Sequence, residues 1–132
     1  MERVALASLP HKYYFSAHQE GTSIIIPRTS SERRDYIPIG LLGSDSIISD
    51  AAQAIYNPPN YLFAILTSNL HMVWVRAIAG RLKTDYRYSS ALCYNNFPFI
   101  KLDEKQETLL EESVFKIIDE REKFPERTMA QL

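Results

Sequence analysis

Hydrophobic positions in this chain come first as short β-branched runs and later as long helical stretches. Ser23-Ile24-Ile25-Ile26 is a β-branched run closed by Pro27, the pattern of a buried strand. Residues 37–42 and 46–49 resume that pattern, and Ala54-Ile55-Tyr56 adds another strand before Pro58-Pro59 interrupts it. Asn60 is placed to cap a helix over residues 61–79, with Gly80 ending it. A strand through residues 85–88 follows, then a turn-rich stretch ending at Pro98. Asp103 caps a last long helix with Leu110, Val114, Ile117, Ile118 and Arg121 on one face. Phe124-Pro125 ends it, and one more helical turn is expected beyond. The pattern predicts an α/β (α+β) fold: a small mixed sheet packed on a long buried helix, then a C-terminal helical tail. Residues 1–102 form the body and 103–132 the helical segment. The first twenty residues, with Tyr13-Tyr14-Phe15 after a short apolar piece, read as a chain entering from elsewhere. There is no internal repeat and no low-complexity segment.

The 61–79 segment is apolar nearly all round, so a membrane span has to be weighed. Thr67, Ser68 and Asn69 lie at its middle with His71 and Arg76 close behind, and polarity at that depth is costly in lipid. A helix buried between sheet and partner helices is the reading taken, with no membrane partner.

Composition narrows the class. A chain of 132 residues with 45% hydrophobic and 23% charged residues fits one soluble domain with a real core. Cys93 is the only cysteine, which rules out an internal disulfide and suits the reducing cytoplasm. Residues 1–10 show neither the basic start nor the long apolar core of a signal peptide. The net charge of −1 hides an asymmetry. Residues 1–102 hold ten Lys/Arg to seven Asp/Glu, and residues 103–132 hold five to nine. An acidic tail beside a mildly basic body is compatible with a nucleic-acid face on the body. A solvated amphipathic helix produces the same imbalance.

Two segments carry candidate chemistry. In Gly80-Arg81-Leu82-Lys83-Thr84-Asp85-Tyr86-Arg87-Tyr88-Ser89, charged and aromatic side chains interleave. If residues 82–88 are extended, Lys83, Asp85 and Arg87 share one face. A donor, an acceptor and a second donor in a row suit base edges: Lys donates to guanine O6 and N7, and Asp accepts from cytosine N4. The same pattern describes a solvated edge strand whose charges deter aggregation. In Pro27-Arg28-Thr29-Ser30-Ser31-Glu32-Arg33-Arg34, guanidinium groups and hydroxyls on a loop between strands suit phosphate oxygens. A loop pinned by Glu32 or Asp35 pairing with the arginines fits that spacing equally.

Chemistry of catalysis is missing. Asn57-Pro58-Pro59-Asn60 resembles the Asn-Pro-Pro-aromatic motif of amino-group DNA methyltransferases, but Asn60 stands where an aromatic would stack on a flipped base. No glycine-rich cofactor loop follows a strand upstream. The motif reads instead as a proline-rich loop with Asn60 capping the next helix. His11, His18 and His71 lack metal-ligand spacing, and Cys93 has no CxxC partner. His71 reads as a satisfied core histidine. No Gly-x-Ser-x-Gly elbow is present.

Several motifs in order resemble the specificity region of MmeI-type enzymes. They are Ile26-Pro27-Arg28 with Ser30-Ser31-Glu32-Arg33-Arg34, Tyr36-Ile37-Pro38-Ile39-Gly40, His71-Met72-Val73-Trp74-Val75-Arg76, the 80–89 stretch, and Tyr94-Asn95-Asn96-Phe97-Pro98-Phe99. The resemblance runs from about residue 22 to the end. It implies a fragment of a large single-chain restriction–modification protein, with endonuclease, adenine-N6 methyltransferase and target-recognition segments in that order. Residues 1–102 are then the C-terminal half of a DNA target-recognition domain. S-adenosylmethionine and Mg are implied for the parent enzyme and no cofactor for this fragment. The resemblance gives Lys83 and Asp85 the reading of one base pair, Lys83 to the guanine and Asp85 to the cytosine amine. A shift of two positions brings in Arg81 or Arg87 instead.

The expected function is sequence-specific recognition of double-stranded DNA without activity of its own, beside an upstream methyltransferase domain. The expected contacts are Arg28, Ser30, Ser31, Arg33, Arg34, Arg81, Lys83, Asp85, Arg87 and Ser89. The alternative is a structural or protein-docking module in which the 61–79 and 103–123 helices pack on a partner domain and the charged strand is merely solvated.

Overall fold

The computed structural model describes residues 19–128 and 131. The expectations for the first eighteen residues lie outside the described residues; of the expected closing helical turn, residues 126–128 and 131 are described and none is helical. The isoleucine run forms β1 (Ser23–Pro27), the middle strand of a three-stranded antiparallel sheet. The next two residues form β2 (Thr29–Ser30) of a second sheet. On one side of β1 lies β3 (Gly40–Leu42), with Ser23 opposite Leu42 and Ile25 opposite Gly40. On the other lies β4 (Ala52–Tyr56), in register from Ser23 opposite Tyr56 to Pro27 opposite Ala52. Ile24 and Ile26 point into the core, as a two-residue period demands.

Two expected strands are absent or shortened. Ile37 and Ile39 are buried, but Pro38 between them has no N–H to give, and the Ile39 N–H turns back to the Ile37 carbonyl at 2.8 Å. Pairing therefore begins only at Gly40. Residues 46–49 form no strand, and Ile47 is exposed among serines and aspartates.

The expected single helix over 61–79 is two: α1 (Asn60–Leu66) and α2 (Asn69–Ile78), bent by 57° at the break. The break follows from Thr67 and Ser68. Thr67 Oγ1 donates to the Phe63 carbonyl at 2.7 Å and Ser68 Oγ donates to the Ile65 carbonyl at 2.6 Å. These hydroxyls take up carbonyls that a continuing helix would share with its own N–H groups. Ser68 Oγ then accepts the His71 N–H and caps α2. No single described helix is long and apolar enough to cross a membrane. Asn60 is the first helical residue rather than the cap; Pro59 holds that position without a side-chain bond.

The motif Asn57-Pro58-Pro59 also has a structural use. Asn57 adopts a φ of 48°, its N–H donates to the Thr22 carbonyl at 2.8 Å, and its amide reaches the Glu20 carbonyl at 3.3 Å. It closes the end of β1–β4 against Gly21, whose φ of 117° and proximity to Asn57 leave no room for a Cβ.

After α2 the chain forms β5 (Gly80–Leu82) and β6 (Asp85–Arg87), then a π-helical turn (Ser90–Tyr94). The last helix, α3 (Glu104–Glu122), begins as expected at Asp103, with a full capping box between Asp103 and Gln106. Its Val114 face packs on α1, and Arg121 Nη1 donates to the Ile39 carbonyl at 2.9 Å with its guanidinium over the Phe63 ring. The core between sheet and helices centres on Ile24, Ile26, Ile39, Phe63, Met72, Val75, Tyr88 and Cys93.

Candidate nucleic-acid interface

The two candidate segments meet in the second sheet, ordered β2-β6-β5. Chain geometry brings them together at Arg28. Its N–H donates to the Ala51 carbonyl at 3.0 Å, on the first sheet, and its carbonyl accepts the Tyr88 N–H at 2.8 Å, on the second. The strand thus passes from one sheet to the other through a single residue. Thr29 then faces Arg87 and Ser30 faces Tyr86, while Gly80 and Arg81 flank β6 on its far side.

The pairing sorts the side chains. Ser30, Tyr86 and Arg81 share one row; Ser30 is only 4% and Tyr86 only 5% exposed, while Arg81 on the edge strand is exposed. Ser30 therefore does not stand on the surface with the arginines, and its Oγ has no partner among the described residues. Arg81 lies over the Tyr86 ring at 4.0 Å, and its Nη1 donates to the Thr84 carbonyl at 2.9 Å, closing the hairpin. Thr29, Arg87 and Asp85 occupy the outward row.

The stretch 82–88 is not one extended strand. Leu82 pairs with Asp85, so Lys83 and Thr84 are a two-residue turn. Lys83 has a φ of 58° while Thr84 does not share the left-handed sign, the pattern of a type II′ hairpin. Asp85 and Arg87 keep the shared face expected of them; Lys83 leaves it for the hairpin tip. A turn rich in neither Gly nor Asn gave no warning of this.

The arginine loop is folded but not pinned by charge. The Arg34 N–H donates to the Ser31 carbonyl at 3.2 Å and the Arg33 N–H to Ser31 Oγ at 3.3 Å. Ser31 is thereby committed to the turn. The Glu32 N–H donates to Asp85 Oδ1 at 3.3 Å, which ties the loop to the hairpin. Neither Glu32 nor Asp35 pairs with an arginine; among the described residues the ion pair is Lys123 with Glu120, on α3 and just after it. Arg28, Arg33, Lys83 and Arg87 are exposed, Arg34 half-buried, and all lack an acidic partner among the described residues. Ser89 is half-buried at the start of the π-helical turn, where its carbonyl accepts the Cys93 N–H at 2.7 Å.

The 49–51 turn, not foreseen from the sequence, is carried alongside Arg28 by the Ala51 carbonyl. Asp50, next to Ala51 in this turn, is exposed. Only β1–β4 register places the turn there.

Behind the interface, His71 Nε2 lies 3.0 Å from Tyr88 Oη. Burial pushes the His71 pKa down to about 4 and pushes the Tyr88 hydroxyl up. Burial likewise raises the Cys93 thiol. No cluster of three His, Cys, Asp or Glu able to hold a metal is present among the described residues.

Two clefts open among the described residues. One, of about 650 Å³, runs from Arg33–Pro38 to Thr67 and Arg121. The other, of about 460 Å³, is almost wholly apolar, between Ile65, Leu70, Phe97, Phe99, Ile100 and Leu109. Leu70, Phe99, Ile100 and Leu109 leave it open to solvent.

Comparison with known proteins places this arrangement. The chain is 48% identical over 117 residues to DNA methyltransferase A of Bacillus subtilis (strain 168), covering 89% of this chain and 13% of that protein. It superposes with a TM-score of 0.88 and 37% identity on the Type IIL restriction-modification enzyme MmeI solved in complex with DNA, over 98% of this chain and 17% of that one. The chain thus spans less than a fifth of the length of either. The sequence profile of the MmeI target recognition domain matches residues 1–101, and the chain belongs to that family.

Proposed function

We propose that this chain is the sequence-reading part of a larger adenine-N6 DNA methyltransferase and restriction enzyme, and that it has no catalytic activity of its own. The observation that carries the reading is the β5–β6 hairpin of the second sheet: its turn presents Lys83, Asp85 and Arg87 follow on β6, and the loop beside it has arginines with no acidic partner among the described residues. A β-ribbon fits the major groove, where base pairs differ in donors and acceptors. Lys83 at the tip donates to a guanine. Asp85, with Oδ1 held by the Glu32 N–H, offers Oδ2 to a cytosine amine. Arg33 and Arg34, beside the hairpin tip, meet phosphates and set the register, while Arg28 and Arg87 lie at the root of the second sheet, away from the tip. Double-stranded DNA is the partner and the cytoplasm the place of action. S-adenosylmethionine and Mg belong to the remainder of the enzyme.

The apolar groove supports a second, compatible reading. Its open leucine, isoleucine and phenylalanine side chains suit packing against the methyltransferase part of the same polypeptide.

The decisive experiment exchanges the reader charges, Lys83→Glu with Asp85→Arg, in the full-length enzyme. Methylation is then scored on sites differing at each base pair. Preference inverts at one position if the pair reads it, since Arg seeks guanine and Glu the cytosine amine. An unchanged preference at every position in a folded, DNA-binding variant rejects the pair as reader.

A further inference from the structure

We infer that the hydrogen bond between His71 and Tyr88 is a positioning latch that fixes the hairpin's orientation on its helical support, so that base discrimination depends on it. The inference rests on the hairpin being the reader. Tyr88 directly follows Arg87 at the end of β6, and its N–H holds the Arg28 carbonyl at 2.8 Å. One residue therefore joins the reading strand, the strand that crosses between sheets, and the core. Its ring is 2% exposed, and its hydroxyl is spent on His71 Nε2 at 3.0 Å. His71 is itself wholly buried and rigidly held. Its N–H is bonded by Ser68 at the first turn of α2, and Phe97 packs edge-on to its ring at 4.9 Å. One turn later, Trp74 Nε1 donates to the Cys93 carbonyl at 3.1 Å, fastening α2 to the segment that leaves the hairpin.

The hydrogen count argues against a purely stabilising role. Neutral His71 brings one N–H and Tyr88 one O–H, but a single bond joins them, and His71 Nδ1 has no partner among the described residues. Whichever tautomer is present, one hydrogen is left over. Apolar side chains of like shape would fill the space without that cost, because replacing both members of a buried polar pair is often nearly neutral. A directional bond supplies what an apolar contact does not, a fixed distance and angle between α2 and the root of the hairpin. The imidazole stays neutral across the physiological range, so the latch does not open with ordinary changes of pH.

The test uses the full-length enzyme with Tyr88→Phe, His71→Leu and His71→Gln, beside the Lys83/Asp85 charge exchange. Tyr88→Phe and His71→Leu are expected to lower discrimination about tenfold at the base pair altered by the exchange. Either single change leaves a buried partner unpaired and should lower the thermal midpoint, whereas the double variant Tyr88→Phe with His71→Leu should keep it near wild type with discrimination still lowered. Non-specific DNA affinity and its salt slope should stay near wild type in all three. His71→Gln, whose amide nitrogen reaches where Nε2 lies, should recover most of the discrimination. Full discrimination in Tyr88→Phe overturns the latch, as does a loss in which stability, specific and non-specific binding fall together. If the charge exchange alters preference and Tyr88→Phe does not, only the latch fails. If the exchange itself changes nothing, the reading of the hairpin fails and the latch with it.

Discussion

The two sheets of this molecule, each of three strands, are built on opposite terms. The first is organised around five-residue β1, with Ile24 and Ile26 sealed beneath helices and pairing on both sides. The second consists of strands of two or three residues, carries its charges outward, and turns through a lysine with positive φ. The first sheet has the features of a scaffold, in which apolar burial sets the geometry. The second has the features of a site, in which exposed charge and local strain are kept because surrounding structure holds them. Their difference shows where substitutions will alter stability and where they will alter recognition.

The largest effect should come from the centre of the scaffold. Ile24→Ala removes a fully buried side chain, and urea unfolding should show a loss of about 2–5 kcal/mol with base preference intact in whatever fraction folds. An altered preference would mean that the two sheets are less separable than their burial suggests.

Acid should act on the boundary between them. His71 has its pKa lowered from 6.5 to about 4, so the unfolded chain binds the proton that the folded chain refuses. Stability should therefore fall as pH drops below about 6.5, and the loss should level off near the folded value. It amounts to roughly 3 kcal/mol from this group. Chemical denaturation of wild type and His71→Gln between pH 4 and pH 7 would expose the term, which Gln should abolish.

Lys83→Gly should separate the two roles most cleanly. Relief of the unfavourable φ, less the entropy of glycine, should raise stability by about 0.5–1 kcal/mol. The same variant should lose preference at one base pair. A stabilised protein with unaltered specificity would remove Lys83 from the reading face.

Arg33→Ala should have the smallest effect on folding, within about 0.5 kcal/mol, since the side chain is exposed and has no acidic partner among the described residues. Binding should weaken about equally on all sequences, with the salt slope reduced by roughly one, measured by titration at several salt concentrations. A loss confined to one sequence would make it a base contact.

Elements whose cause is local were legible from the chain. The β-branched run gave β1, Asp103 gave the start of α3, and the Val114 face gave its packing. Elements whose cause lies elsewhere were not. Helical periodicity runs unbroken through Thr67 and Ser68, where their hydroxyls turn to the Phe63 and Ile65 carbonyls and Ser68 caps a new helix. The hairpin was hidden because Lys83-Thr84 lacks the usual turn residues, and because β6 is paired on its other side by β2, far away in sequence. Ser30 fell on the inward row for the same reason. Alternation names two faces, and only the partner strand decides which is covered.

The unbroken path of chain from β1 through Arg28 into β2 also determines how the molecule bears a pull. A tug on the reading face along this path reaches β1 lengthwise, where its ladders to β3 and β4 are loaded together in shear. The turn at Lys83 has no such anchor, and a force there peels β5 from β6 one bond pair at a time. The molecule is therefore stiff where β1 enters the first sheet and compliant at the turn of Lys83.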